Sequence, residues 1–139
     1  MDRFFWIHAH GAATHFPIAL VFAAAGFEFA ALLVRSPRLR RDFSMVGFYA
    51  VIVAALGSVA GVLTGLGLCH WRFFGEGLLA WHHLCVWVGT GLLMVAAVWR
   101  VLMKEEASRK SRLFCLILVV LAAAFMAGAG YFGGEMTHS

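Results

Sequence analysis

Four long apolar blocks, at residues 16–34, 43–68, 78–103 and 113–132, decide what this chain can fold into. A helix needs about 20 mostly apolar residues to cross a hydrocarbon core of roughly 30 Å, and each block meets that length. The first is interrupted only by Glu28. The breaks between the blocks are short: RSPRLRRD, HWRFFGEG and RVLMKEEASRKSR. None is long enough for a domain, so neighbouring spans must run antiparallel. The expected architecture is all-α, a single-domain integral membrane up-down four-helix bundle. A soluble globular protein is excluded, because 63% of the residues are hydrophobic and only 13% charged, against roughly 45–50% and about 25% in soluble domains. The first block is read as a retained span. Its run is longer than a signal-peptide core, and no convincing small-residue cleavage site follows it.

The basic residues orient these spans. Arg35, Arg38, Arg40, Arg41, Arg100, Lys104, Arg109, Lys110 and Arg112 flank the first and third breaks, and only Arg3 and Arg72 lie on the other side. Short loops rich in lysine and arginine stay cytoplasmic. The expectation is therefore a multi-pass protein of the bacterial inner membrane, with both termini and the second loop facing the periplasm. The same clustering explains the net charge of +4 without a nucleic-acid partner; the lipid bilayer is the partner this pattern implies.

Threading the chain this way puts all seven histidines on one side. His8, His10 and His15 lie at the outer start of span one, His70 follows span two, His82 and His83 open span three, and His138 follows span four. Imidazole is the commonest metal ligand and a usual axial ligand of haem iron. Bundles hold cofactors with polar side chains that project inward from facing helices. Interfacial histidines are also tolerated where headgroups are wet, a plainer reading that fits His8, His70 and one of the adjacent pair. His82 and His83 sit about 100° apart on a helix and can hardly face one pocket. Val86 and Gly89 leave more room above His82 than Trp87 and Thr90 leave above His83, so His82 is the preferred ligand. His15 is read as a ligand just inside span one. A helix starting near Thr14 as N-cap would set it on the first turn, where Pro17 is tolerated.

Small residues cluster near these histidines. Gly57, Gly61 and Gly65 recur at four-residue spacing with Cys69 on the same stripe, and AGAGYFGG fills positions 127–134. Such stripes pack helices closely; beside histidines they also leave room for a flat cofactor. Glu28 is either a proton relay or a hydrogen-bonded buried carboxyl. Glu135, three residues before His138, is either an acceptor that orients that imidazole or a solvated acid. The three cysteines, Cys69, Cys85 and Cys115, form no disulfide framework. The covalent haem motif C-x-x-C-H is absent, since Leu66 stands where its first cysteine would be. So are HEXXH, a P-loop, a Rossmann fingerprint and Ser-His-Asp logic. No catalytic residue is expected.

The opening HAHGAATHFPIAL resembles the start of a family of small bacterial membrane proteins with four spans. Its histidine ahead of a His-Phe-Pro-Ile-Ala-Leu stretch matches His10 and residues 15–20, and its histidine at the head of the third span matches His82 or His83. Its closing Gly-Gly-x-Leu-Thr-His-Gly sequence is similar to Gly133, Gly134, Glu135, Met136, Thr137, His138 and Ser139, with serine in place of the last glycine. Members look like b-type cytochromes and are often fused to, or encoded beside, periplasmic c-type cytochromes. The resemblance implies an outward-facing redox role for His10, His15, His82 and His138.

The expected function is a membrane electron-transfer subunit that binds one or two b-type haems near the periplasmic face. It would link the quinone pool to a periplasmic c-type cytochrome or dehydrogenase. His15 with His82 is the leading ligand pair, and His10 with His138 serve as a second pair or as propionate partners. His83, His70 and Glu135 are secondary candidates. Two alternatives stand beside this. One is a haem-free copper or zinc module, to which Cys69 or Met136 adds a soft ligand for copper. The other is a structural subunit of a larger respiratory or photosynthetic membrane complex, docked through its small-residue stripes. The chain reads as a subunit of an oxidoreductase complex more readily than as an enzyme alone.

Overall fold

Flanking residues continue three of the four apolar blocks into longer helices, whereas the third block is itself the helix. In the computed structural model, which describes residues 3–103 and 108–138, the elements are α1 (Arg3–Leu33), α2 (Pro37–Leu68), α3 (Leu78–Leu102) and α4 (Arg109–His138). All four are long and apolar enough to cross a membrane. At 31 residues, α1 is about 46 Å long and overshoots a hydrocarbon core of roughly 30 Å.

The expected N-cap at Thr14 is not a helix start. Thr14 lies well inside α1, and its hydroxyl donates to the His10 and Gly11 carbonyls at 3.0 and 3.2 Å. Pro17 is accordingly an interior proline, and its missing N–H removes one bond of the helical ladder. The early start has a tertiary cause. Trp6 and His10, on the first turns of α1, pack against Gly67 and Gly65 of α2, and packing carries a helix further than local end signals allow.

The connections explain why the helices stop where they do. Pro37 opens α2 behind Ser36, a first-turn position where its fixed φ is already helical and its missing donor is not needed. The Arg40 side chain reaches back and donates to the Val34 carbonyl at 3.2 Å, placing a cation at the negative end of α1. α2 closes with paired backbone bonds, from the Trp71 N–H to the Leu66 carbonyl at 2.7 Å and from the His70 N–H to the Gly67 carbonyl at 3.4 Å. This ending puts His70 in the left-handed region at φ 52°, a position glycine usually fills.

α1 packs on α2 and α4, and α3 packs on α4 and α2, so the helices stand in ring order with α1 and α3 on one diagonal. The centre is built largely from small side chains: Ala24 from α1, Ala50, Ala54 and Ala55 from α2, Ala96 and Ala97 from α3, and Ala122 and Ala123 from α4. Val21, Val51, Leu93 and Val119 fill between them. Large apolar residues such as Phe22, Phe29, Leu56, Val98 and Leu121 point outward. Small residues inside and bulky ones outside is the pattern of a bundle solvated by lipid, where close helix contact and not water exclusion drives association. One end of the bundle carries the histidines; the other carries the arginines.

Candidate functional site

The histidine end brings together rings from both diagonal helices. His10 of α1 and His82 of α3 lie with ring centres 6.4 Å apart and ring planes at 75°. Each ring is held by a neighbouring helix. His10 Nδ1 donates to the Gly61 carbonyl of α2 at 3.1 Å and lies 3.3 Å from Thr64 Oγ1. His82 Nδ1 donates to the Ala129 carbonyl of α4 at 2.8 Å. A carbonyl can only accept, so both Nδ1 atoms carry the proton. In the neutral rings the lone pair is therefore on Nε2. This is how proteins commonly fix a metal-binding histidine: one ring nitrogen is tied to a carbonyl and the other is left as the ligand atom.

Glycines make the close approach possible. A Cβ at Gly65 would stand 2.9 Å from His10 Cε1, and one at Gly133 would stand 3.4 Å from His82 Cε1. The α2 stripe is a seam that α1 fills: Pro17 lies on Gly57, Thr14 on Gly61, His10 on Gly65 and the Trp6 indole on Gly67. Of the two uses the stripe was given from sequence, close packing is the one the structure displays.

His8, His15 and His70 lie apart from this pair. His15 is exposed, and its Nδ1 donates to the Gly11 carbonyl of its own helix at 2.6 Å. His8 is exposed and bonded within its helix to the Phe4 carbonyl at 2.9 Å. His70 is exposed in the turn after α2. The geometry thus joins His82 to His10 and leaves His15, the partner expected from sequence, outside the pair. His138 closes α4, but its side chain lies outside the described residues; Glu135 is exposed. His83 has its ring centre 6.0 Å from that of His82, but it comes from the same helix, lines a separate cleft and is the more buried of the two adjacent rings.

Among the described residues, no three His, Cys, Asp or Glu side chains gather into a group fit for a metal ion. Cys69, half-buried just beyond α2, sits where burial pushes its thiol up, an effect the nearby Arg72 charge only partly offsets. A two-ligand demand suits the His10–His82 pair; a copper or zinc cage of three or four ligands finds no such set among the described residues.

The arginine end holds a polar cluster that the sequence reading did not foresee. Glu28, 1% exposed, pairs with Arg100, 7% exposed, through a bond of 2.7 Å from Nε to Oε1. Arg100 Nη2 also donates to the Ser44 carbonyl at 2.6 Å and to Ser44 Oγ at 2.7 Å, and Arg112 reaches the same Oγ at 2.9 Å. The Arg100 guanidinium lies 5.7 Å from the centre of the Phe48 ring. Of its two expected readings, Glu28 is thus the hydrogen-bonded buried carboxyl. Arg100, which flanks the third break in the sequence, points into the bundle. It continues the inward stripe of Leu93, Ala96 and Ala97, and that register was the available signal.

A family model described as a predicted membrane protein (DUF2231) matches residues 7–139. No curated protein and no solved structure matches the chain.

Proposed function

Starting from a chain that belongs to the DUF2231 family of predicted membrane proteins, we propose that it is an electron-transfer subunit whose His10 and His82 would hold one b-type haem. The observation that carries this reading is the pair itself. Two imidazoles from diagonal helices stand 6.4 Å apart, each with Nδ1 tied to a backbone carbonyl. A haem held between two histidines would supply one-electron transfer in place of oxygen chemistry.

The residues of the chain then have defined tasks. The Gly61 and Ala129 carbonyls fix tautomer and ring orientation, and a carbonyl acceptor at Nδ1 makes Nε2 more basic. Gly65 and Gly133 keep the ring edges uncrowded. The reading is of one haem, held by the one pair of histidines from different helices that the described residues bring together. The arginine asymmetry supports an inner-membrane orientation with the histidine end at the periplasm. There the subunit would pass electrons between the quinone pool and a periplasmic c-type cytochrome or dehydrogenase.

The test is a reduced-minus-oxidised spectrum of protein purified from haem-replete cells. A b-type band is expected in wild type and in His15→Ala, and it is lost in His10→Ala and His82→Ala variants that still run as folded protein. A colourless wild type, or a band that survives both ligand substitutions, overturns the reading.

A further inference from the structure

His83, one residue on from His82, faces a different part of the molecule. A cleft of about 220 Å3 lies between the start of α3 and the loop that precedes it, lined by Phe74, Gly75, Ala80, His83, Leu84 and Trp87. His83 is 9% exposed, and its Nδ1 is buried with no hydrogen-bond partner. Nearly all buried polar atoms in folded proteins are paired, and each exception calls for a reason.

The rest of the lining narrows what fits there. No lining residue is charged, so an ionised ligand would be desolvated without a counter-charge. Trp87 is locked in place, its indole N–H donating to the Phe73 carbonyl at 3.1 Å and its ring stacked on Phe73 with centres 6.3 Å apart. The volume falls below the roughly 300–1,000 Å3 of pockets that enclose a whole drug-sized ligand. The cleft therefore suits one uncharged flat ring, with the remainder of the molecule outside. Leu84 and Trp81, exposed on the same turns of α3, continue the apolar surface along which a lipid-like tail would run.

We infer that this cleft binds the head ring of a membrane quinone, with a His83 ring nitrogen bonded to a quinone oxygen and Trp87 and Phe74 enclosing the ring. Each nitrogen of a neutral imidazole is donor or acceptor according to the tautomer, so His83 Nδ1 would donate to a quinone carbonyl in one tautomer and accept from a quinol hydroxyl in the other. The purpose of such a site rests on the electron-transfer reading above, whereas binding itself is measurable without any haem.

The experiment titrates purified full-length protein with a decyl-substituted benzoquinone, read as quenching of tryptophan emission, with decanol as the control for partitioning. Saturable quenching is expected. His83→Leu, which is close to histidine in volume but removes the hydrogen bond, weakens it about tenfold. Ala80→Leu, which fills the cleft and leaves His83 intact, abolishes saturation. Quenching that stays linear in wild type, or two variants that saturate as wild type does, overturns the proposal. The absorbance spectrum of the same wild-type sample separates the two ideas. A b-type band without saturable quenching removes the quinone site alone, and saturable quenching by colourless protein removes the haem alone.

Discussion

The buried ion pair of Glu28 and Arg100 shows what a single charge requires inside this bundle. Two charges taken out of water persist only when the geometry is good and the remaining donors and acceptors are satisfied. Both conditions hold: the 2.7 Å bond to Glu28 is joined by two bonds from Arg100 to Ser44. Gly47 makes the room, since a Cβ there would stand 2.9 Å from Glu28 Oε1. Removing one partner leaves the other as an uncompensated buried charge. Glu28→Leu and Arg100→Met are each expected to cost about 3–5 kcal/mol. The double variant should lose much less than the sum, because no stranded charge remains. A double-mutant cycle of unfolding in mixed detergent micelles measures this coupling; additive single effects would show that the two side chains do not depend on each other.

At the scale of the helices, the seam between α1 and α2 is set by glycine spacing, and it fixes where His10 stands. Gly65→Ala forces the His10 ring to move, because the added carbon would sit 2.9 Å from Cε1. Overpacking of this kind costs about 1–3 kcal/mol. Gly130 of α4 has nothing within 4 Å of its would-be Cβ, and Gly130→Ala should stabilise the helix by about 0.5–1 kcal/mol. The two substitutions are chemically the same, yet detergent unfolding midpoints are expected to move in opposite directions. Equal shifts would mean that the seam is not tight. The same seam explains what was legible in the sequence and what was not. Four spans follow from apolar length alone, a property of the chain in one dimension. The gathering of histidines at one end follows from that topology. The choice of partner does not, because it depends on how each helix is rotated and on which helices share a diagonal. The sequence ranks His15 ahead of His10 because Thr14 and Pro17 imitate a helix start, while the contacts that extend α1 back to Arg3 come from α2.

For the whole molecule, the open question of orientation is an electrostatic one, and the structure sharpens it. With Arg100 accounted for by Glu28 inside the bundle, eight basic residues remain at the arginine end against Arg3 and Arg72 at the other. That asymmetry is the pattern on which the proposed orientation, with the arginine end in the cytoplasm, rests. Single cysteines introduced at exposed sites test it: Glu76→Cys in the loop at the histidine end, and Leu39→Cys near the start of α2. A membrane-impermeant maleimide should label Glu76→Cys in intact bacterial cells, and Leu39→Cys only after permeabilisation. The native thiols set a low background at neutral pH. Cys85 and Cys115 are buried, and burial raises the Cys69 thiol more than Arg72 lowers it. A thiol shifted upward holds less of the reactive thiolate below its ordinary range. Labelling of Cys69 should thus stay slow near pH 7 and quicken only as the pH rises past that range. The reverse pattern at the two introduced sites would place the paired histidines on the cytoplasmic side. Electrons would then have to leave the subunit toward a cytoplasmic acceptor, and a periplasmic c-type cytochrome could not be its partner.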